Sequence, residues 1–244
     1  MNPLTRAAGT VAAAIVIAGT ALLGTRYLAA GVGALVVVAA LGWPRLLRVY
    51  RRRVSTVIIC AAGALSVVAI GAGRGEPYLR YAVAAAAAAV LLALSAEVFF
   101  PSPPGRAITS VTGMMTGAMV AVSSGAWVAA ARTPGADDLV VAGAACLAFA
   151  GVGAIVSVNP QINALCGAVA GVGAGVGMGF VFDSIGWASG ILVGAAAAAA
   201  VLLVAELGER EPTPRSTMAA IAAGVTPILA SGVLVYLGGR LLVG

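Results

Sequence analysis

The chain of 244 residues has no histidine and no lysine, and all 14 of its basic residues are arginine. Without histidine, imidazole metal ligands, imidazole proton relays and a Ser-His-Asp triad within this chain are excluded. Without lysine there is no phosphate-cradling GxxxxGK[ST] loop, and the one GxG-rich run has no strand before it, so ATP and dinucleotide binding have no support. Neither HExxH nor SxxK occurs, so neither an enzyme nor a cofactor is expected. Charged residues make up only 9% of the chain and aromatics 5%. So few polar groups cannot coat a core of this apolar content in water. The three cysteines, Cys60, Cys146 and Cys166, each fall inside an apolar run with no CxxC spacing, which reads as inert, small core residues.

What fills the chain is apolar: 61% hydrophobic residues and a mean hydropathy of +1.08. Runs near the length that spans a bilayer occur at about 7–24, 27–43, 54–73, 81–100, 107–131, 139–158, 161–182, 186–205 and 217–239. They predict an all-α, polytopic bundle of nine helices forming a single transmembrane domain over 1–244, with only short connections. Almost no loop separates the sixth, seventh and eighth runs, so one of them is allowed to be re-entrant or tilted, leaving eight crossings. The net charge of +6 does not point to nucleic acid, because the arginines stand at the ends of apolar runs.

Five of them, Arg45, Arg48, Arg51, Arg52 and Arg53, crowd the loop after the second run. Such a cluster stays in the cytoplasm, which places the N-terminus inside as well. Nine arginines (6, 45, 48, 51, 52, 53, 106, 210, 215) then lie inside and five (26, 74, 80, 132, 240) outside. The pairs 6/26, 53/74, 106/132 and 215/240 each bracket an outward-going run, a spacing of about 30–39 Å along a helix, close to a bilayer with its headgroups. Trp43, Leu46, Leu47 and Tyr50 alternate with the loop arginines, predicting a short interfacial helix whose basic side attracts an anionic lipid or a polyprenyl phosphate.

The run GAVAGVGAGVGMG places glycine at 167, 171, 175 and 179, with a second row at 173 and 177. Residues four apart share a helix face, and bare backbone there lets a neighbour approach closely, which is how helices associate in lipid. This predicts a central packing helix, and the matching row Gly186, Gly190 and Gly194 predicts that the seventh and eighth helices form a tight hairpin.

Polar residues inside the runs are the candidates for binding. Glu97 is the most embedded acid, a proton or cation carrier by default or else a snorkelling partner of the nearby arginines. Helical geometry puts Thr109, Thr112, Thr116, Ser123 and Trp127 on one narrow face of the fifth helix, either lining a path for a polar solute or bonding to neighbouring backbones. Asn159 caps the seventh helix with Pro160 in its first turn. With Gln161, Asn163 and the positive dipole end, Asn159 is also a candidate anion site. Asp183 follows the seventh helix, as a cap or at an outer vestibule. Ser216 or Thr217 caps the ninth helix, and Pro227 predicts a kink there, a candidate hinge. No metal site is expected.

The segments PGRAITSVTGMMTGAMVAVSSGAWVAA and ILASGVLVYLGGRLL resemble multi-pass integral membrane proteins of actinobacteria, a group with no established activity. The resemblance implies a plasma-membrane protein and carries no functional residues with it. Two functions remain open. One is a secondary permease or lipid-carrier translocase, with the fourth, fifth, seventh and ninth helices around a site that includes Glu97. The other is a non-transporting membrane subunit or scaffold of a cell-envelope assembly, with a protein partner or a second copy of the chain as possible company.

Overall fold

A computed structural model describes residues 3–73, 75, 77–133, 137–210 and 216–242. Among them the chain forms nine helices and no strand: α1 (Pro3–Leu23), α2 (Thr25–Leu46), α3 (Arg52–Ala72), α4 (Arg80–Phe99), α5 (Ala107–Arg132), α6 (Asp137–Gly153), α7 (Pro160–Val181), α8 (Gly186–Arg210) and α9 (Thr217–Leu242). Eight are long and apolar enough to cross a membrane, and large apolar side chains such as Leu22, Val57, Val98, Phe180 and Leu203 stand exposed on the outside of the bundle. The chain is a multi-pass membrane protein, its outer surface made for lipid. Arg74 and Arg215, used above to count charge, lie outside the described residues.

Successive helices alternate in direction. One end carries the α1 N-terminus and the α2–α3, α4–α5, α6–α7 and α8–α9 connections; it is called the basic end here because the arginine cluster lies on it. Hydrogen bonds tie this end together: Thr10 Oγ1 donates to the Gly224 carbonyl at 2.7 Å, and Trp43 Nε1 to the Gly113 carbonyl at 2.9 Å.

The centre of the bundle is α9 and α5, whose spans are 72% and 67% buried. α9 packs against α1, α2 and α5, and α5 against α3 and α9. The expectation that α7 is the central helix is corrected here. Its span is only 22% buried, and it packs against α6 and α8 alone. The close approach it promised is nevertheless present. A Cβ on Gly179 would meet the Gly186 carbonyl oxygen at 2.5 Å, one on Gly194 that of Gly171 at 2.5 Å, and one on Gly175 would collide with the carbonyl of Gly190. Gly167, Gly171, Gly175 and Gly179 are buried, whereas Gly173 and Gly177 face open space. Gly186 joins the contact through its carbonyl. Its own φ of +69° is the left-handed conformation that favours glycine at the turn into α8.

The sixth run was expected to reach residue 158, but α6 ends at Gly153, so its 17 residues span about 26 Å against a hydrocarbon layer of about 30 Å. At the far end Asp138 Oδ2 accepts from Ser184 Oγ at 2.6 Å, placing the α6 start beside the α7–α8 turn. At the basic end Gly151 faces Thr10 of α1, and Gly153 faces Cys166 and Gly167 of α7. α6 therefore stops roughly 8–10 Å, about five to seven residues of rise, before the ends of its neighbours. The chain needs residues 154–159 to turn back, because Pro160 opens α7 and the residue before a proline avoids helical geometry.

Candidate functional site

The sequence-derived candidates do not converge. α4, which carries Glu97, packs against α3 and α5, and α7 against α6 and α8. Helices α4, α5, α7 and α9 thus enclose no common site, which overturns that part of the permease expectation. Glu97 is half-buried and turned to its own loop. Its Oε1 accepts from the Ser102 backbone N–H at 2.7 Å and its Oε2 from Ser102 Oγ at 3.0 Å. The carboxylate closes the turn after α4.

The polar face of α5 divides in two. Thr109, Thr112 and Thr116 are exposed on the outside of the bundle, and Thr116 Oγ1 donates back to the Thr112 carbonyl at 2.7 Å. This is how a hydroxyl is satisfied in lipid, and it lines no internal path. Higher up, Ser123 Oγ donates to the Ala230 carbonyl at 2.8 Å and Trp127 Nε1 to the Ile228 carbonyl at 2.7 Å. Gly232 makes this approach possible, since a Cβ there would meet the Ser123 carbonyl oxygen at 2.5 Å. Pro227 lies just before these acceptors, inside a continuous α9 and buried, so α5 bonds across the segment proposed as a hinge.

At the α7 start two amide side chains bond to backbone. Asn159 Oδ1 accepts from the Gln161 N–H at 2.9 Å, the expected cap. Asn163 pairs twice with Ser157: its Oδ1 accepts from the Ser157 N–H and its Nδ2 donates to the Ser157 carbonyl, both at 2.7 Å. These bonds replace the helical ones lost where α6 ends early, as irregular backbone near lipid requires. They hold Asn163 to the backbone of Ser157 and the Asn159 oxygen to the helix start, while the Asn159 amide N–H groups take no part in these bonds. Asp183 is exposed and makes no hydrogen bond among the described residues, whereas Asp138, which sequence reasoning passed over, binds Ser184. Ser216 Oγ accepts from the Ala219 N–H at 3.3 Å as the α9 cap.

The predicted interfacial helix in the basic loop is replaced by a tight turn. Arg48 takes φ +52°, and the Val49 N–H donates to the Pro44 carbonyl at 2.9 Å, the 6→1 bond that ends a helix in a Schellman turn. Val49 plugs inward against Gly113, and Trp43 is buried where lipid contact had been expected. Arg45, Arg48, Arg52 and Arg53 remain exposed. Arg51 is engaged, donating from Nη2 to the Pro101 carbonyl at 3.2 Å, with its guanidinium 5.8 Å from the Phe100 ring centre.

Two polar anchors had no counterpart in the sequence reading. Thr56 Oγ1 donates to the Ala40 carbonyl at 3.0 Å. At the opposite end Arg132 Nη1 donates to the Ile70 carbonyl and, at 2.8 Å, to that of Gly71. Its Nη2 donates to Gly73 at 3.0 Å. The guanidinium lies 4.5 Å from the Tyr78 ring centre. A cation on the last carbonyls of α3 complements the negative end of that helix without any carboxylate.

Where α6 stops short a cleft remains. It measures about 440 Å³ and is bordered by Arg6, Pro160, Asn163, Ala199, Leu202 and Glu206, among others. A second cavity of about 300 Å³ lies between α6, α8 and α9 and is almost wholly apolar, Ser231 being its one hydroxyl. Ser231 Oγ is bonded within α9, to the Ile228 carbonyl at 3.0 Å. Among the described residues no charged side chain is buried; the buried polar ones are serines and threonines. Comparison of the chain with protein-family models, with curated proteins and with solved structures finds no match.

Proposed function

We propose that the chain is a non-transporting subunit or scaffold of a cell-envelope assembly, set in the bacterial plasma membrane with its arginine-rich loop in the cytoplasm. The observation that supports it is the interior, where no charged side chain is buried among the described residues. A path for an ion or a charged solute holds ionisable groups at membrane depth. Here the buried hydroxyls without a partner, those of Ser55, Ser110 and Tyr236, are neutral, and Thr10, Trp43, Ser66, Ser123 and Trp127 donate to carbonyls of neighbouring helices. Bonds of this kind fix helices in place. The exposed Arg45, Arg48, Arg52 and Arg53 hold the loop against anionic headgroups, a polyprenyl phosphate included, at about 1 kcal/mol each.

Blue-native electrophoresis of gently solubilised native membranes tests the reading. The chain should migrate with a second protein, well above its own 23.7 kDa; migration as the lone chain would overturn it. The alternative, a secondary permease or lipid-carrier translocase, draws support from the cleft beside α6. It requires that a solute use that cleft, so Ala199→Phe should fail to complement a deletion strain, whereas a scaffold tolerates that change.

A further inference from the structure

The cleft beside α6 combines three features that point to one kind of molecule. It lies at the basic end, at the depth where hydrocarbon meets headgroups, because α6 stops roughly 8–10 Å before its neighbours there. Its wall is apolar, with Ala199, Leu202 and Leu203 of α8. Among the described residues its border carries a cation, Arg6 of α1, and an anion, Glu206 of α8. Each of these also makes a contact within the protein, which a ligand would share. The Asn163 carboxamide, bonded to Ser157, lies on the same border.

We propose that the cleft binds a phospholipid with a phosphoethanolamine head, its phosphate on Arg6, its ammonium on Glu206 and one acyl chain along Leu202 and Leu203. A guanidinium forks onto phosphate oxygens, and a primary ammonium donates up to three hydrogen bonds to a carboxylate. A phosphatidylglycerol head matches Arg6 and offers Glu206 only a neutral hydroxyl in place of a cation. A choline head carries the charge but has no N–H to donate. The short α6 makes the cleft useful to the bundle, because a bilayer that meets a helix shorter than itself must thin or send a headgroup inward.

The test is native mass spectrometry of the full chain in detergent, titrated separately with palmitoyl-oleoyl phosphatidylethanolamine, phosphatidylcholine and phosphatidylglycerol. The wild type should retain phosphatidylethanolamine about tenfold or more over either of the others, the margin of one charge-assisted hydrogen bond. Glu206→Gln should erase the margin over phosphatidylcholine, Arg6→Gln should lower retention of all three, and Ala199→Phe, which fills the cleft, should do the same. A thermal midpoint confirms that each variant is folded. If a variant is not folded, the wild-type headgroup series decides alone. Equal retention of the three lipids, a preference for phosphatidylglycerol, or a folded Ala199→Phe that binds like the wild type would each overturn the proposal.

Discussion

Thr56 gives its hydroxyl hydrogen to the carbonyl of Ala40 at 3.0 Å, and Ala40 stands four residues before Pro44, which is buried inside α2. A proline within a helix removes the N–H that would have reached the carbonyl four residues back. α3 thus supplies to α2 the donor that α2 lacks, the kind of repair that lets proline persist in a membrane helix.

Thr56→Val should cost about 1 kcal/mol, the usual worth of an interhelical hydrogen bond in lipid. Thr56→Ser should cost less. With Pro44→Ala in place, the new backbone N–H satisfies Ala40, and Thr56→Val should then cost little. Thermal unfolding of the four proteins in one detergent measures this coupling, and simple additivity would refute the link.

The two glycine rows of α7 should separate in the same assay. Gly175→Leu drives a side chain into the Gly190 carbonyl and should destabilise by about 1–3 kcal/mol, as overpacking does. Gly173→Leu points into open space and should stay within about 0.5 kcal/mol of the wild type.

Arg132→Gln removes the cation from the α3 carbonyls and should cost about 1.5–3 kcal/mol, the range for a hydrogen bond to a charged group. Arg132→Lys should recover part of it, without the stacking on Tyr78. Hydrogen exchange should quicken first around residues 71–73, where the capped backbone lies.

Orientation is open to cysteine labelling on a background in which Cys60, Cys146 and Cys166 are replaced. Arg52→Cys should react with an impermeant maleimide only after cells are opened, and Pro77→Cys should react in intact cells. The reverse pattern would invert the topology proposed from the arginine cluster.

Helix positions were legible in the sequence because the length of an apolar run is set by the bilayer itself. Six of the nine runs match the helices to within about three residues at each end, the usual error of such boundaries. The larger misses are the start of α1 and the ends of α6 and α8. The α6 end was hidden because Ile155, Val156 and Val158 are as apolar as any span. What stops the helix is the return demanded by Pro160. Two glycine rows of equal spacing carried no sign of which one meets α8. Nor did the wheel of α5 show that Thr109, Thr112 and Thr116 are left uncovered while Ser123 and Trp127 meet α9. A local pattern shows that a face is polar or small, but its neighbour is set by distant sequence. The Thr56 and Arg132 anchors were missed for the same reason, since each acceptor belongs to another helix.

The packing of α9 against α1 and α2 bears on how the protein is made. The first two helices enter the membrane while the last is still untranslated, so their inward faces wait for nearly the whole chain to be synthesised. Such a late closure of distant contacts is slow. A ribosome that stops before residue 217 therefore leaves a product whose Thr10 hydroxyl and Gly42 face have lost their final neighbour, a ready target for membrane quality control.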